Sequence, residues 1–386
     1  MTGRSPVSTR SGSEARKPWR TARITRVVLV ALVLGGFAAL GSTALGGSTA
    51  RGAKSAISPT RCKRNQAAGT INYISPFGYD AAATIMEVFM AQKLGYFKAM
   101  CLKVAFNASS FTAEQLVSSG RGQVTAIGSA ADHVLAAAAG ANLIAVATMG
   151  NTDPHAIYAQ PKIKTLKDLA GGTLGYHINV TPAAVAMLDK AGVDVSKVKM
   201  VLLTSFDPTV VTRGQIDAAV GFASNEPLQL KAAGLPFNEF KPGDFGIKGT
   251  YGVMQFNRTF YNKHRQAVAD FMRADLKALA YCIAHKVECV RYMSHLAAAA
   301  QQGAAFPYGR QLATWNFESQ YVQNDKVGGY GVQTLAEWQT EYQEVLKYGK
   351  LAGLTSSDKI PPLKSVMDTQ LVAGLYRGQK LIWPGT

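Results

Sequence analysis

The stretches GRGQVTAIGSAADH (residues 120–133) and TRGQIDAAVGFASNE (212–226) spell one phrase twice, about ninety residues apart. Each passes from a helix-like lead-in through Gly-Gln to a β-branched residue, a short apolar run, a glycine, small residues and finally an acid or amide. An apolar run of this length, bounded by glycine, reads as a buried strand, and its polar ending as the loop that follows. Only two copies occur, so the repeat points to two equivalent α/β units rather than to a tandem array. One difference separates the copies: Thr125 stands in the first where Asp217 stands in the second. That acid reads as scaffold.

Working outward, the first copy sits among the strand-like runs TINYIS (70–75), LKVAFN (102–107), VTAIGS (124–129) and LIAVATMG (143–150). Helical patterns over 82–98, 112–119 and 132–139 separate them. The pattern restarts around the second copy. Strands are predicted in AIYAQP (156–161), at the end of LKDLAGGTLGYH (166–177), and in VKMVLLT (198–204), IDAAVGF (216–222) and YGVMQFN (251–257). A helix over 181–191 has Thr181 as its cap and Pro182 in its first turn, and another covers 226–234. Helical stretches at 262–285, 287–299, 310–321 and 334–348 follow. Strict β-α alternation predicts parallel sheets covered by helices. The expected division is lobe 1 over 70–158 and 255–386, with lobe 2 inserted over 159–254. The Lys/Arg/Ser/Gly-rich segment 51–69 reads as a linker.

A chain of 386 residues with 47% apolar residues suits one large domain or two lobes. The formal charge is +17; seven basic residues and one acid precede Arg51, so +6 belongs there and +11 to the remainder. That remainder favours an anionic ligand or an acidic surface. A nucleic-acid partner is not expected, because the Lys and Arg are scattered and form no basic helix interleaved with aromatics.

Arg16, Lys17, Arg20, Arg23 and Arg26 precede the apolar run VVLVALVLGGFAAL (27–40) and the small residues GSTALGGSTA (41–50). Residues 1–50 therefore read as a secretory signal peptide or as an uncleaved signal anchor, since Val27 to Ala44 could just span a bilayer. Both readings place the folded part in the periplasm or on the extracellular face of the cytoplasmic membrane. No lipoprotein cysteine follows the run. Four cysteines suit an oxidising compartment. Cys282 and Cys289 would lie about 10 Å apart on one unbroken helix, so pairing needs a turn at His285-Lys286. Cys62 and Cys101 each precede a strand and are the other expected pair.

Enzyme signatures are absent: there is no GxSxG, Walker A or HExxH, and GGTLG (171–175) lacks the Rossmann spacing. No CxxC or HxxxH spacing suggests a metal, and no cofactor is expected.

Several phrases resemble one family in order along the chain. IMEVFMAQKLGYFKAMCLKVAF (85–106), IKTLKDLAGGTLGYH (163–177), GQIDAAV (214–220) and EWQTEYQEVLKYGKLAG (337–353) resemble the substrate-binding proteins of nitrate, sulfonate and taurine ABC importers. SNEPLQLKAAG (224–234) is similar to the branch that binds thiamine-pyrimidine precursors. The resemblance covers about residues 70 to 353. It implies a type II periplasmic-binding-protein fold, two α/β lobes joined by two crossovers, with C-terminal helices on the first lobe. It further implies a monomer that captures a small solute, passes it to a permease and, through it, depends on an ATPase. A related yeast pyrimidine-precursor synthase uses a Cys-rich motif with iron; no such cluster occurs in this sequence.

In such sheets ligands sit beyond the carboxyl ends of the strands, where helix N-termini offer free N–H groups. The candidate residues follow from those loops. Phe77 and Tyr79, in SPFGYD, either stack on a flat ligand or cover the lobe. Asp132 accepts from a ligand or caps a helix. Ser129 and Thr181 donate to an oxyanion or serve as caps, and Thr152 lies in the loop at 150–153. His177 donates to an anion or is structural. Asn225 caps the 226–234 helix or meets ligand, and Glu226 offers a carboxylate to an amine or aminopyrimidine. Tyr251 lies near the second crossover. The basic balance favours a sulfonate, nitrate or carboxylate; Glu226 and the SPFGY loop favour a flat nitrogenous compound, which is the preferred expectation.

Overall fold

In the computed structural model, which describes residues 56–108, 112–322 and 328–385, the predicted apolar runs become strands, and an unpredicted short strand forms at Asn238–Phe240. These are β1 (Thr70–Ile74), β2 (Lys103–Asn107), β3 (Val124–Ile127), β4 (Leu143–Gly150), β5 (His155–Ala159), β6 (Thr173–Tyr176), β7 (Lys199–Leu202), β8 (Ala218–Phe222), β9 (Asn238–Phe240) and β10 (Tyr251–Asn257). The helices are α1 (Pro59–Gln66), α2 (Met86–Lys93), α3 (Tyr96–Ala99), α4 (Ala113–Ser118), α5 (Ala130–Ala138), α6 (Pro182–Lys190), α7 (Thr209–Thr212) and α8 (Glu226–Ala232). Then come α9 (Arg258–Lys263), α10 (Arg265–Ala284), α11 (Lys286–Ala299), α12 (Tyr308–Glu318), α13 (Leu335–Tyr348) and α14 (Leu363–Val366). The expected targeting segment, 1–50, lies outside the described residues. Among the described residues no helix is long and apolar enough to cross a membrane.

Two five-stranded sheets form, in the orders β2-β1-β3-β10-β4 and β7-β6-β8-β5-β9. The two Gly-Gln phrases lead into β3 and β8, the third strand of each order. The sheets are not purely parallel as expected. β10 runs antiparallel to β3 and β4, and β5 antiparallel to β8 and β9. The reason is topological: each of these strands arrives directly from the other lobe, without the helical crossover that makes neighbours parallel. The chain changes sheet between Gly150 and His155, and again between Phe240 and Tyr251. The borders expected at 158/159 and 254/255 thus fall inside β5 and β10.

Thr125 and Asp217 tie their strands to equivalent neighbours. The Thr125 hydroxyl donates to the Ile74 carbonyl at 2.7 Å. Asp217 accepts from the Thr173 backbone N–H and hydroxyl, both at 2.9 Å, and pairs with Lys162. Each anchors the third strand to the one beside it, β1 or β6.

The expected linker at 51–69 is corrected by α1. Ser58 caps it from an extended conformation and Pro59 opens its first turn, a start signal that the surrounding basic composition obscured. The predicted 82–98 helix divides at Gly95, whose φ of +73° only glycine adopts without strain. The predicted 262–285 helix divides at His264 into α9 and α10. Disulfides join Cys62 to Cys101 and Cys282 to Cys289, with Cα atoms 5.2 and 5.6 Å apart. The second pair spans the break at His285 between α10 and α11.

One apolar cluster fills the first lobe, where Phe97 stacks on Phe271 and α10 packs on α1, α2 and α3. A second, under β5, β6 and β8, fills the other lobe. The C-terminal helices return to the first lobe, and α12 and α13 also reach α8 and α6 of the second.

Candidate functional site

The carboxyl ends of β1, β3, β6 and β8 face a cavity of about 580 Å³ enclosed between the lobes. This is the position that open α/β sheets reserve for ligands. The first lobe contributes Phe77, Asp80, Thr84, Glu114, Gly128 and Asp132; the second contributes His155, Tyr176, His177, Thr181, Phe206, Phe222, Asn225 and Glu226. Tyr251, at the start of β10, and Glu318, at the end of α12, complete the wall.

Aromatic rings give the cavity flat sides. Phe77 meets Phe206 and Phe222 edge-on, with centroids 6.4 and 6.2 Å apart, so the two lobes touch through rings. Behind them, Phe206 leans on His177 at 4.2 Å and Phe222 stacks on His155 at 4.9 Å.

Among the described residues, five carboxyl groups line the wall: Asp80, Glu114, Asp132, Glu226 and Glu318. None of the lining side chains among the described residues is Lys or Arg. Burial pushes all five acids up, Glu114, Glu226 and Glu318 each to about 7. His155 is the lining group that carries positive charge. Burial alone would push its imidazole down. Asp153, bonded to Nδ1 at 2.7 Å, and then Asp132, with Oδ2 3.9 Å from Nε2, outweigh that and lift it to about 9. Its charge is therefore already neutralised by its neighbours.

Glu226 does not project freely. It is 1% exposed and folds back so that Oε2 accepts the Phe222 N–H at 2.9 Å, while Asn225 donates to Oε1 at 3.2 Å. Gly221 makes this possible, since a Cβ there would lie 2.4 Å from Oε2. Titrating near neutrality, Glu226 can serve a ligand as acceptor or as donor.

Of the sequence-expected residues, Phe77, Asp132, His177, Thr181, Asn225, Glu226 and Tyr251 line the cavity. Three expected residues stand outside the lining, two of them in the alternative roles offered, since Tyr79 covers its lobe and Ser129 caps a helix. Tyr79 packs its ring against Phe89, 5.5 Å away, in the first-lobe core. Ser129 is enclosed at the start of α5, where it and Asp132 form a reciprocal capping box; Ser129, not Asp132, is the N-cap. Thr152 is exposed on the crossover, away from the lining. Thr181 accepts from the Ala184 N–H and so caps α6 as well as lining the wall. The Asn225 side chain is engaged by Gln229 and Arg310 rather than capping α8. Burial pushes the His177 imidazole down, which keeps it neutral at pH 7.

Sequence reading missed Asp80, Glu114, His155, Phe206, Phe222 and Glu318. Phe222 had a local signal, lying inside the repeated phrase, and so had Asp80, at the end of the SPFGYD loop. The others depend on which segments the fold brings together.

The raised groups make stability pH-dependent with one sign. Carboxyls lifted in the folded state favour folding when protonated, and that contribution is lost as pH rises from the unfolded value of 4.5 through about 7. His155 favours folding when charged, a contribution complete below 6.5 and lost as pH rises through about 9. Both terms run the same way. His133 and His177, pushed down by burial, oppose this only below pH 6.5, so the melting temperature of the ligand-free protein should fall from about pH 6.5 to pH 9, as differential scanning calorimetry would record. A melting temperature that rises across that window would contradict this assignment of charges.

A family model described as NMT1/THI5 like matches residues 82–289. No curated protein matches the sequence. Among solved structures, the alkanesulfonate-binding protein SsuA from Xanthomonas axonopodis pv. citri, bound to MOPS, is 13% identical with a TM-score of 0.59. The match covers 77% of this chain and 97% of that one. The Candida albicans CA3427 product, described as having the generic periplasmic binding protein fold, is 15% identical with a TM-score of 0.53 over 78% of this chain and 95% of that one. A DSZB mutant in complex with biphenyl-2-sulfinic acid is 11% identical with a TM-score of 0.52, covering 79% of this chain and 98% of that one. These likenesses show the fold.

Proposed function

The chain belongs to the NMT1/THI5-like family, and on that premise we propose that it is the extracytoplasmic solute-binding component of an ABC importer. Its two lobes close on a small organic solute and present it to a permease, which an ATPase drives. The protein acts as a monomer outside the cytoplasmic membrane, without catalysis.

The preferred solute is a flat nitrogenous compound of the thiamine-precursor aminopyrimidine type. One observation carries this choice: among the described residues, the cavity is walled by aromatic rings and five carboxyl groups, with no Lys or Arg side chain. Ring faces accept a planar heterocycle, and carboxylates accept from amino groups or pair with a protonated ring. Arg310 stands behind this wall, bonded to Asn225; against the upward push of burial its charge lowers the pKa of Asp80 and Glu226, but it does not line the cavity. The competing reading keeps the transport role but supplies a sulfonate, taurine, nitrate or aromatic carboxylate, as the alkanesulfonate-binding neighbour suggests. Such an anion would face five acids and one already neutralised imidazolium.

The test is isothermal titration and thermal shift with 4-amino-2-methylpyrimidine and its 5-hydroxymethyl derivative, beside taurine, alkanesulfonates, nitrate, aromatic carboxylates and riboflavin. The aminopyrimidines should raise the melting temperature and bind more tightly at pH 8 than at pH 5.5, because deprotonated acids accept better. Stabilisation by a sulfonate and by no aminopyrimidine would overturn the choice of solute.

A further inference from the structure

Helix α12 presents Arg310, Thr314 and Glu318 at i, i+4 and i+8, one stripe along a helix. All three reach a single turn of the second lobe, immediately before Glu226. Arg310 Nη2 donates to Asn225 Oδ1 at 2.6 Å, Thr314 Oγ1 donates to the Ser224 carbonyl at 3.2 Å, and Ser224 Oγ donates to Glu318 Oε1 at 2.7 Å.

The same helix is fastened to the first lobe by other atoms. Trp315 Nε1 donates to the Cys282 carbonyl at 3.1 Å, and Gln311 Nε2 to the Tyr79 carbonyl at 3.1 Å. Gln311 Oε1 accepts from the Ala81 N–H. Glu318 Oε2 accepts from the Ala83 N–H at 2.8 Å and from the Tyr251 hydroxyl. Glu318 therefore keeps two donors from the first-lobe side whatever the second lobe does. Only its third donor, Ser224, comes from across the cleft. Opening strips it of one bond rather than all, so the contact is strong enough to hold and cheap enough to release.

We propose that α12 is a built-in latch: its Arg310–Thr314–Glu318 stripe captures the Ser224–Asn225 turn, holds the lobes closed before any solute arrives, and fixes the backbone on which Glu226 stands. Glu318 is a positioning residue in this scheme. Besides lining the cavity, it acts on the solute through the turn that carries Glu226. The latch rests on the clamp reading above, whose solute it does not specify.

Small-angle scattering of the ligand-free mature protein tests it. Wild type should scatter as the closed structure. Ser224→Ala removes one oxygen, and the triple variant Ser224→Ala/Arg310→Ala/Thr314→Val removes every latch bond. Each lost bond should lower the closed-to-open ratio about five- to tenfold, so the triple variant should scatter as an opened, larger particle. In a double-mutant cycle the effects of Ser224→Ala and Glu318→Gln should be far from additive. A wild type already open without ligand, or a triple variant that scatters as wild type does, overturns the latch. Titration of the same proteins with 4-amino-2-methylpyrimidine separates the two ideas. A closed wild type and an opened triple variant, neither binding the pyrimidine, would retain the latch and remove only the solute assignment.

Discussion

Replacing Asp270 with alanine should cost about 3–5 kcal/mol of folding stability, the largest effect expected of any single substitution in the first lobe. Asp270 is fully buried on α10. It accepts from Arg61 through Nε at 2.9 Å and also through Nη2, from Asn65 at 2.7 Å and from Gln266 at 3.1 Å, and lies 3.6 Å from Arg273 Nε. Without it, two guanidinium groups face one another in a nearly dry site with no carboxylate between them. The usual relief, swinging α1 outward so that Arg61 regains water, is restricted because Cys62 is tied to Cys101. Chemical unfolding followed by circular dichroism would measure the loss, and a change under about 1 kcal/mol would refute the role given to this carboxylate.

The second large effect is expected of Gly128→Ala, and it should fall on solute capture rather than on folding. A Cβ at 128 would lie 2.8 Å from Phe222 Cζ. Gly128 directly follows β3 in one lobe, and Phe222 ends β8 in the other. The overlap therefore exists only when the lobes meet, and each lobe can fold without it. Phe222 has little room to yield, being stacked on His155 and met edge-on by Phe77. Overpacking of this kind costs about 1–3 kcal/mol, here borne by the closed state. Because the latch holds the free protein closed as well, the variant should open the free lobes, read as a larger particle by small-angle scattering, and weaken affinity for the captured solute by at most about five- to 150-fold. Unchanged affinity would mean that the lobes do not close at this contact.

The repeated phrase identified β3 and β8 because a buried strand followed by a polar loop leaves a local record: β-branched residues, then glycine, then small polar ones. Strand direction leaves none. Periodicity cannot tell a strand entering from its own lobe from one entering from the other, so β5 and β10 were expected parallel. Helix α1 did carry a signal, Ser58 followed by Pro59, hidden by a basic stretch of linker-like composition. The site divides the same way. Phe77, Asp132, Thr181 and Asn225 stand just after strands, where loop position alone nominates them. Glu226 was nominated too, but its fold-back depends on the missing Cβ of Gly221, a contact outside any sequence rule. Glu318 stands more than ninety residues beyond Ser224 and meets it only because the C-terminal helices return across both lobes.

The two exchanged strands have a mechanical consequence. In the first sheet β4, which leaves for the second lobe, lies hydrogen-bonded beside β10, which comes back, with Gly150 paired to Tyr251 at the exit. In the second sheet β5, which arrives, lies beside β9, which precedes the return. The two connections thus run as adjacent ribbons rather than as separate tethers at opposite sides of the cleft. Paired ribbons bend readily about an axis lying across them and resist torsion about their own length. The lobes should swing like a page on its binding, along one arc, and each closing stroke should bring Ser224 to Glu318 and Phe222 to Gly128 in the same register.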